Sequence, residues 1–207
     1  MRTQNLMRSA MFLAIVASTA LPLAAQAQST PWLVRLRAVH LDSANKDSTG
    51  LGLSINNKWI PEVDVSYFFT PQIATELVLT YPQKQTIYSN GTEIGSFKHL
   101  PPTLTVQYHF TDFGLIKPYV GAGINFTNFS DVKFNSATEA ALHPSLDNNS
   151  WGFAGQVGVD YLLSKQVYLN LDVKYVQIGT DVYSSGVKAG TLKVDPWLVG
   201  LGVGWRF

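Results

Sequence analysis

Four histidines are the first candidates for catalysis: His40, His99, His109 and His143. No two stand at the H-x-x-x-H spacing that turns two imidazoles onto one metal. No Ser-His-Asp set falls at a common depth along the strand pattern described below, so nucleophilic acyl chemistry has no visible machinery. The chain has no cysteine, which excludes disulfides, thiolate nucleophiles and Cys-based metal sites. Gly121-Ala122-Gly123 lies within a strand-like segment, where glycine marks a bend or close packing rather than a phosphate loop. The sequence therefore predicts no enzyme, no catalytic residue, no bound metal and no cofactor. A formal net charge of +1 gives no basic field for nucleic acid.

A second group of chemistry-bearing residues is ionic. Arg35, Arg37, Asp64, Glu76, Asp160, Asp172 and Arg206 all fall on one side of a two-residue alternation. Both signs are present, so these side chains are predicted to pair with one another, since a buried charge needs a partner. Two uses are open to such a set: an ionic plug that fills an interior, or an ion-selective constriction. A third group shares that inward side but is small or apolar: Val78, Thr80, Gly152, Ala154, Pro196 and Leu198, with Lys174 nearby. It is either a packed interior or a pocket for one apolar molecule, with Lys174 pairing with Asp172 or holding a polar head group.

The elements that position these groups are strands. The chain ends Asp195-Pro196-Trp197-Leu198-Val199-Gly200-Leu201-Gly202-Val203-Gly204-Trp205-Arg206-Phe207. Every second residue from Trp197 is apolar, with aromatics at both ends, while the other set is small or charged. Eight such segments are predicted, near 32–41, 59–69, 72–82, 102–110, 117–129, 151–163, 166–178 and 193–207. Their outward sets contain no Lys, Arg, Asp or Glu. A lipid-facing Arg or Lys costs about 2–4 kcal/mol at the bilayer midplane, so such exclusion is expected where hydrocarbon is the solvent. All five tryptophans fall in outward register near strand ends: Trp32 and Trp205 at one end, with Phe207, and Trp59, Trp151 and Trp197 at the other. That makes two interfacial girdles. A β-sandwich also has an apolar face, but it does not account for every Trp standing at a strand end.

Connections alternate between short (69–72, 111–116, 163–166) and long (42–58, 83–101, 130–150, 179–192). The predicted fold is an all-β, eight-stranded antiparallel up-and-down transmembrane barrel over residues 28–207, with short periplasmic turns and long extracellular loops. Ser136–Leu142 is predicted to form a brief helix in the third long loop. Residues 1–27 read as a cleaved secretory signal peptide. Arg2 and Arg8 precede a mostly apolar run from Ala10 to Ala25, and Ala25-Gln26-Ala27 is an A-x-A cleavage site. The run is shorter than a membrane-spanning helix and is broken by Ser18, Thr19 and Pro22.

Several motifs resemble a known family in order along the chain. They are Lys98-His99-Leu100-Pro101-Pro102-Thr103-Leu104 with Gln107-Tyr108-His109-Phe110, Lys117-Pro118-Tyr119-Val120-Gly121-Ala122-Gly123-Ile124-Asn125, Ser150-Trp151-Gly152 with Gly155-Gln156-Val157-Gly158-Val159-Asp160-Tyr161, and Asp195-Pro196-Trp197 with the Trp-Arg-Phe end. The chain is similar here to the outer membrane protein W (OmpW/AlkL) family. That resemblance implies an outer-membrane barrel for uptake of small hydrophobic compounds, entered from the loop side and left sideways through the wall. One departure is Lys174, which fills an inward slot where the family's best-known member carries an aromatic, so a fully apolar gate is not carried over. Residues 83–97 and the third long loop match poorly, so ligand identity is not carried over either.

The expected function is passive uptake of small hydrophobic or amphipathic molecules across the bacterial outer membrane. The expected partners are outer-membrane lipid, the solute, and the outer-membrane assembly machinery acting on the C-terminal strand. Sideways escape needs a break in the strand ladder, expected near Pro196 or Pro118. The rival readings are a structural or receptor barrel with partner-binding loops, a narrow ion channel, and a lipid-acting enzyme.

Overall fold

The two-residue alternation of the sequence becomes a closed wall. In a computed structural model, which describes residues 30–207, the chain forms β1 (Trp32–Asp42), β2 (Lys46–Asp47), β3 (Leu53–Ile55), β4 (Lys58–Phe68), β5 (Ile73–Leu79), β6 (Gln83–Ser89), β7 (Thr92–Leu100), β8 (Thr103–His109) and β9 (Ile116–Phe134). After these come α1 (Ser136–Leu142), β10 (Pro144–Leu146), β11 (Asn149–Leu162), β12 (Val167–Val176), β13 (Gly179–Ser184), β14 (Val187–Lys193) and β15 (Trp197–Arg206). The segment read as a signal peptide lies outside the described residues.

Eight strands run in the hydrogen-bonded order β11-β12-β15-β1-β4-β5-β8-β9, and β9 pairs back onto β11 to close the ring. Every pairing is antiparallel. Closure leaves no edge strand, the condition for a β-structure in lipid. Short turns close one end, as where the Phe69 amide donates to the Ile73 carbonyl at 2.9 Å and the Leu163 amide to that of Val167 at 2.9 Å.

The outer surface is apolar. Leu36, Val106, Phe153, Val157 and Leu201 stand exposed on it, and Trp151 is 71% exposed in the isolated chain. Outward aromatics pair across strands at both rims. Trp32 packs edge-on against Tyr67 at 4.9 Å at the short-turn end, and Phe126 meets Trp151 at 4.8 Å and Tyr175 meets Trp197 at 5.2 Å at the other. The rise from Trp197 to Trp205, at roughly 3.4 Å per residue and a tilt of about 40°, comes to ~20 Å along the barrel axis. That matches a bilayer's hydrocarbon layer once the aromatic rims are added.

The long connections carry regular structure of their own. Residues 83–100 fold as the hairpin β6/β7, turning at Asn90-Gly91 with φ of 48° and 82°. Residues 179–193 fold as β13/β14, turning at Ser185-Gly186 with φ of 49° and 79°. Positive φ at both central residues is the turn whose twist suits a hairpin. β9 runs five residues beyond its expected end at 129, to Phe134, and supports β7. α1 forms where expected, its first turn capped by Asn135, whose Oδ1 accepts from the Thr138 amide at 2.8 Å.

Candidate functional site

The inward side chains of the lower and middle barrel form one ionic floor. The Arg35 guanidinium grips Asp160 with two bonds, Nε to Oδ1 at 3.1 Å and Nη2 to Oδ2 at 2.5 Å, and reaches Glu76 Oε2 with Nη1 at 2.6 Å. Arg37 sits one pleat further along. Its Nε is 2.6 Å from Asp64, its Nη1 2.8 Å from Asp172 and its Nη2 3.2 Å from Glu76. The Asp64 and Asp172 contacts are ion pairs by distance but lack hydrogen-bond alignment. Ser66, Tyr119, Gln156 and Asn170 complete the floor with hydroxyl and amide bonds to the same carboxylates, and the Thr105 hydroxyl accepts from Gln156 Nε2. Arg35, Asp64 and Glu76 are 0% exposed, so the barrel is blocked at this level by protein. Neutral and ionic bonds are interleaved, which is how a lumen holds charges away from water.

Above the floor the lining turns apolar. A narrow chamber is bounded by Leu41, Ile60, Val78, Pro101, Val176 and Leu198, with Thr80, Thr103, Ile178 and Pro196 at its margins. Lys174 and Glu62 form its lower edge, paired at 2.9 Å. The chamber's volume is about 20 Å³. At rest it has room for little more than a water molecule. Its roof is packed rather than open, because Phe97, Phe129, Ile87, Val182 and Leu192 from the extracellular hairpins join the same apolar cluster.

The wall beside this chamber is incomplete. β5 pairs with β8 only as far as Val78↔Thr103, and β6 pairs with β7 only from Gln83↔His99. Among the described residues, no backbone hydrogen bond joins 80–82 to 100–102. Pro82, Pro101 and Pro102 lie in this seam, and prolines have no amide to donate. The Pro101 and Pro102 carbonyls are instead held by Asn125 Nδ2 at 3.2 and 3.1 Å, and the Pro61 carbonyl by Thr80 Oγ1 at 2.8 Å.

Residues 31–207 match the family model described as the OmpW family. The chain belongs to that family. It is 41% identical over 188 residues to an uncharacterized outer-membrane protein, y4mB, of Sinorhizobium fredii, covering 86% of this chain and 80% of that protein. It is 38% identical over 162 residues to outer membrane protein W of Escherichia coli, covering 75% and 76%. Among solved structures, the crystal structure of OprG from Pseudomonas aeruginosa superposes with a TM-score of 0.75 at 26% identity, covering 86% of this chain and 96% of that one. The solution structure of E. coli outer membrane protein W gives 0.64 at 31% identity, covering 88% and 100%. The protein is thus an integral barrel of the bacterial outer membrane.

In this OmpW-family barrel the structure gathers most, but not all, of the residues singled out in the sequence. Arg35, Arg37, Asp64, Glu76, Asp160 and Asp172 lie in one floor, whereas Arg206 does not. Arg206 stands at the periplasmic rim, its Nε donating to the Thr30 carbonyl at 2.9 Å and its guanidinium 4.1 Å over the Phe68 ring. It is the last residue of β15, opposite Leu33, and it lines the periplasmic mouth of the lumen with Leu33, Phe68 and His109; among the described residues it makes no ion pair with the floor. Val78, Thr80, Lys174, Pro196 and Leu198 line the chamber, and Ala154 does not. Ala154 is buried in the adjoining apolar cluster, and its methyl is too short to reach the space. Lys174 pairs chiefly with Glu62, at 2.9 Å, rather than with Asp172, at 3.8 Å. At Pro118 and Pro196 the ladder is continuous: the Pro118 carbonyl accepts from the Phe110 amide at 2.9 Å, and that of Pro196 from the Val176 amide at 3.2 Å. The break expected there lies instead at 80–82 and 100–102. Tyr119 was not singled out by the sequence, and its only signal was its place one residue before the outward Val120.

Proposed function

We propose that this OmpW-family barrel is a non-catalytic facilitator for small apolar or amphipathic solutes. The solute enters from the outer side, passes through the chamber above the ionic floor, and leaves sideways through the seam into the bilayer. The supporting observation is the position of the chamber, with a closed ionic floor beneath it and the unladdered segments 80–82 and 100–102 beside it. A solute that cannot descend past Arg35 and Arg37 has a shorter way out through a wall that lacks hydrogen bonds. Burial of the solute's hydrocarbon supplies the affinity, at about 25 cal/mol per Å². Because the resting space is small and its roof packed, the extracellular hairpins part to admit the molecule and the segment 80–82 swings outward to release it.

The test is uptake of apolar solutes by cells carrying Leu198→Arg or Leu198→Trp, with folding checked by the heat-dependent gel shift of the barrel. The first variant charges the chamber and the second fills it. Both should lose facilitated uptake while folding; unchanged uptake sinks the chamber as a route. A cation-selective constriction is the second reading, because five carboxylates (Glu62, Asp64, Glu76, Asp160, Asp172) face only Arg35, Arg37 and Lys174 in the floor and at its edge. Cation conductance of the native protein in planar bilayers that changes with Asp64→Asn would favour it over facilitated uptake.

A further inference from the structure

Three polar side chains in the apolar upper barrel leave five buried polar atoms without a partner. Gln83 on β6 and His99 on β7 are directly opposite in the ladder, and Gln85 follows Gln83 on the same face, opposite Phe97. All three are 0% exposed. Neither ring nitrogen of His99 has a partner, nor does either amide atom of Gln85, nor Gln83 Oε1. Gln83 Nε2 is already spent on Thr80 Oγ1 at 3.1 Å and the Tyr81 carbonyl at 2.9 Å. The surroundings offer no substitute, since the Phe97 and Phe129 rings lie 5.9 and 6.3 Å from the imidazole. Orphaned polar atoms at such depth cost folding free energy and need an explanation. Of the three, His99 also lines the chamber.

We propose that His99, with Gln83 and Gln85, is a head-group subsite for an uncharged, hydroxyl-bearing amphiphile such as a medium-chain alcohol. This rests on the chamber being the solute's route. The chemistry of the site selects the head group. A neutral imidazole offers one donor and one acceptor, and the Gln85 amide offers both, which is the pattern a hydroxyl completes because it donates and accepts at once. A carboxylate head would need a free cation in the chamber; Lys174 is committed to Glu62, and Lys58 lies outside the lining with its ammonium on the Lys84 carbonyl at 3.0 Å. An ammonium head would need a free carboxylate, and Glu62 is committed in turn. β7 lies beyond the outer aromatic rim, since His99 is opposite Phe129, three residues past the Phe126–Trp151 pair. Burial there, with Lys58 adding to it, holds the His99 imidazole down to about 4, so it stays neutral at ordinary pH. The tail of the molecule then fits among Leu41, Ile60, Val78 and Leu198.

The experiment uses the mature chain in lipid nanodiscs with ¹⁵N-labelled histidine, titrated with 1-octanol, n-octane and octanoate at matched concentrations in the lipid. The His99 resonances are identified by their loss in His99→Leu. The native protein should bind octanol at least about tenfold more tightly than octane or octanoate, since a site built for a hydroxyl rejects analogues lacking it, and the His99 ring nitrogens should shift with octanol alone. His99→Leu and, independently, Gln85→Leu should bring octanol down to the affinity of octane. Equal binding of octanol and octane overturns the subsite while leaving the chamber intact, and so does an octanol preference that survives both variants. Tightest binding of octanoate overturns it in favour of an anion site. Binding of none of the three means that the chamber reading itself has failed.

Discussion

The ring of Tyr119 lies across Gly158, its opposite partner on the neighbouring strand, and its Oη donates to Asp172 at 2.8 Å. The same ring stacks on His109 at 4.9 Å, and the Arg35 guanidinium lies 5.2 Å from its centroid. A β-carbon on Gly158 would come within 2.3 Å of the Tyr119 ring, so the glycine is what lets the tyrosine lie flat and reach the floor. Gly158→Ala should therefore push Tyr119 off Asp172 and destabilise the barrel by about 1–3 kcal/mol, the usual range for overpacking. Gly155, three residues earlier on β11, has nothing within 4 Å of such a carbon and faces lipid. Gly155→Ala should cost nothing measurable. Urea unfolding of the two variants in micelles checks the contrast; equal loss in both would mean that Tyr119 does not depend on Gly158.

Arg37 is the centre of the floor, within 4 Å of Glu62, Asp64, Glu76 and Asp172. Removing it as Arg37→Met leaves several carboxylates without their cation. The expected loss is about 3–5 kcal/mol, the range for breaking one side of a buried pair. The double variant Arg37→Met, Asp64→Leu should recover part of that loss, since an apolar pair leaves less uncompensated charge. Unfolding free energies of the single and double variants decide it, and a double variant weaker than the single one would show that Asp64 stabilises by something other than pairing.

The lipid-facing side was legible because hydrocarbon imposes a rule that water does not: charge is absent from an entire alternation, and Trp is confined to its ends. The identity of the inward ionic residues was legible from the same parity. Their pairing was not, because Arg35 meets Asp160 from 125 positions away, through a register set by barrel closure. Arg206 shows the limit of parity, being inward as counted but at the periplasmic mouth, where it joins no ion pair of the floor. The hairpins at 83–100 and 179–193 carried a readable sign in Asn90-Gly91 and Ser185-Gly186. Their flanks are largely polar, as in Gln83-Lys84-Gln85-Thr86, so the alternation that marks a half-buried strand was missing. The seam was foreshadowed by Pro101-Pro102, but locating it required knowing which amides lacked a facing carbonyl.

If the seam is the exit, restoring its ladder should slow release. Pro101→Thr and Pro82→Thr each supply an amide to a segment that now has no cross-wall bonds between 80–82 and 100–102. Together they should lower apolar-solute uptake several-fold. Protection of the Tyr81 and Leu100 amides from hydrogen exchange should rise, and the thermal stability of the barrel should stay level or improve. Uptake that persists while those amides become protected would place the exit elsewhere.

The last expectation concerns acid. Burial is the larger cause of the depressed His99 titration and the Lys58 charge the smaller, together bringing it from 6.5 to about 4. Above about pH 6.5 the imidazole is neutral both in the fold and in the unfolded chain, and it contributes no pH dependence. Between there and about pH 4 the unfolded chain takes up a proton that the folded hairpin refuses, so stability falls as pH falls. Below about 4 the loss is complete, and carboxylates begin to dominate. The charged group bearing on the ring is Lys58; the Lys174–Glu62 pair lines the same chamber, and its charges oppose one another. Hydrogen-exchange protection of the β6/β7 amides should therefore decline from pH 6.5 to 4.5 in the native protein and stay flat over that window in His99→Gln. The same decline in both proteins would show that another group governs the acid response of the hairpin.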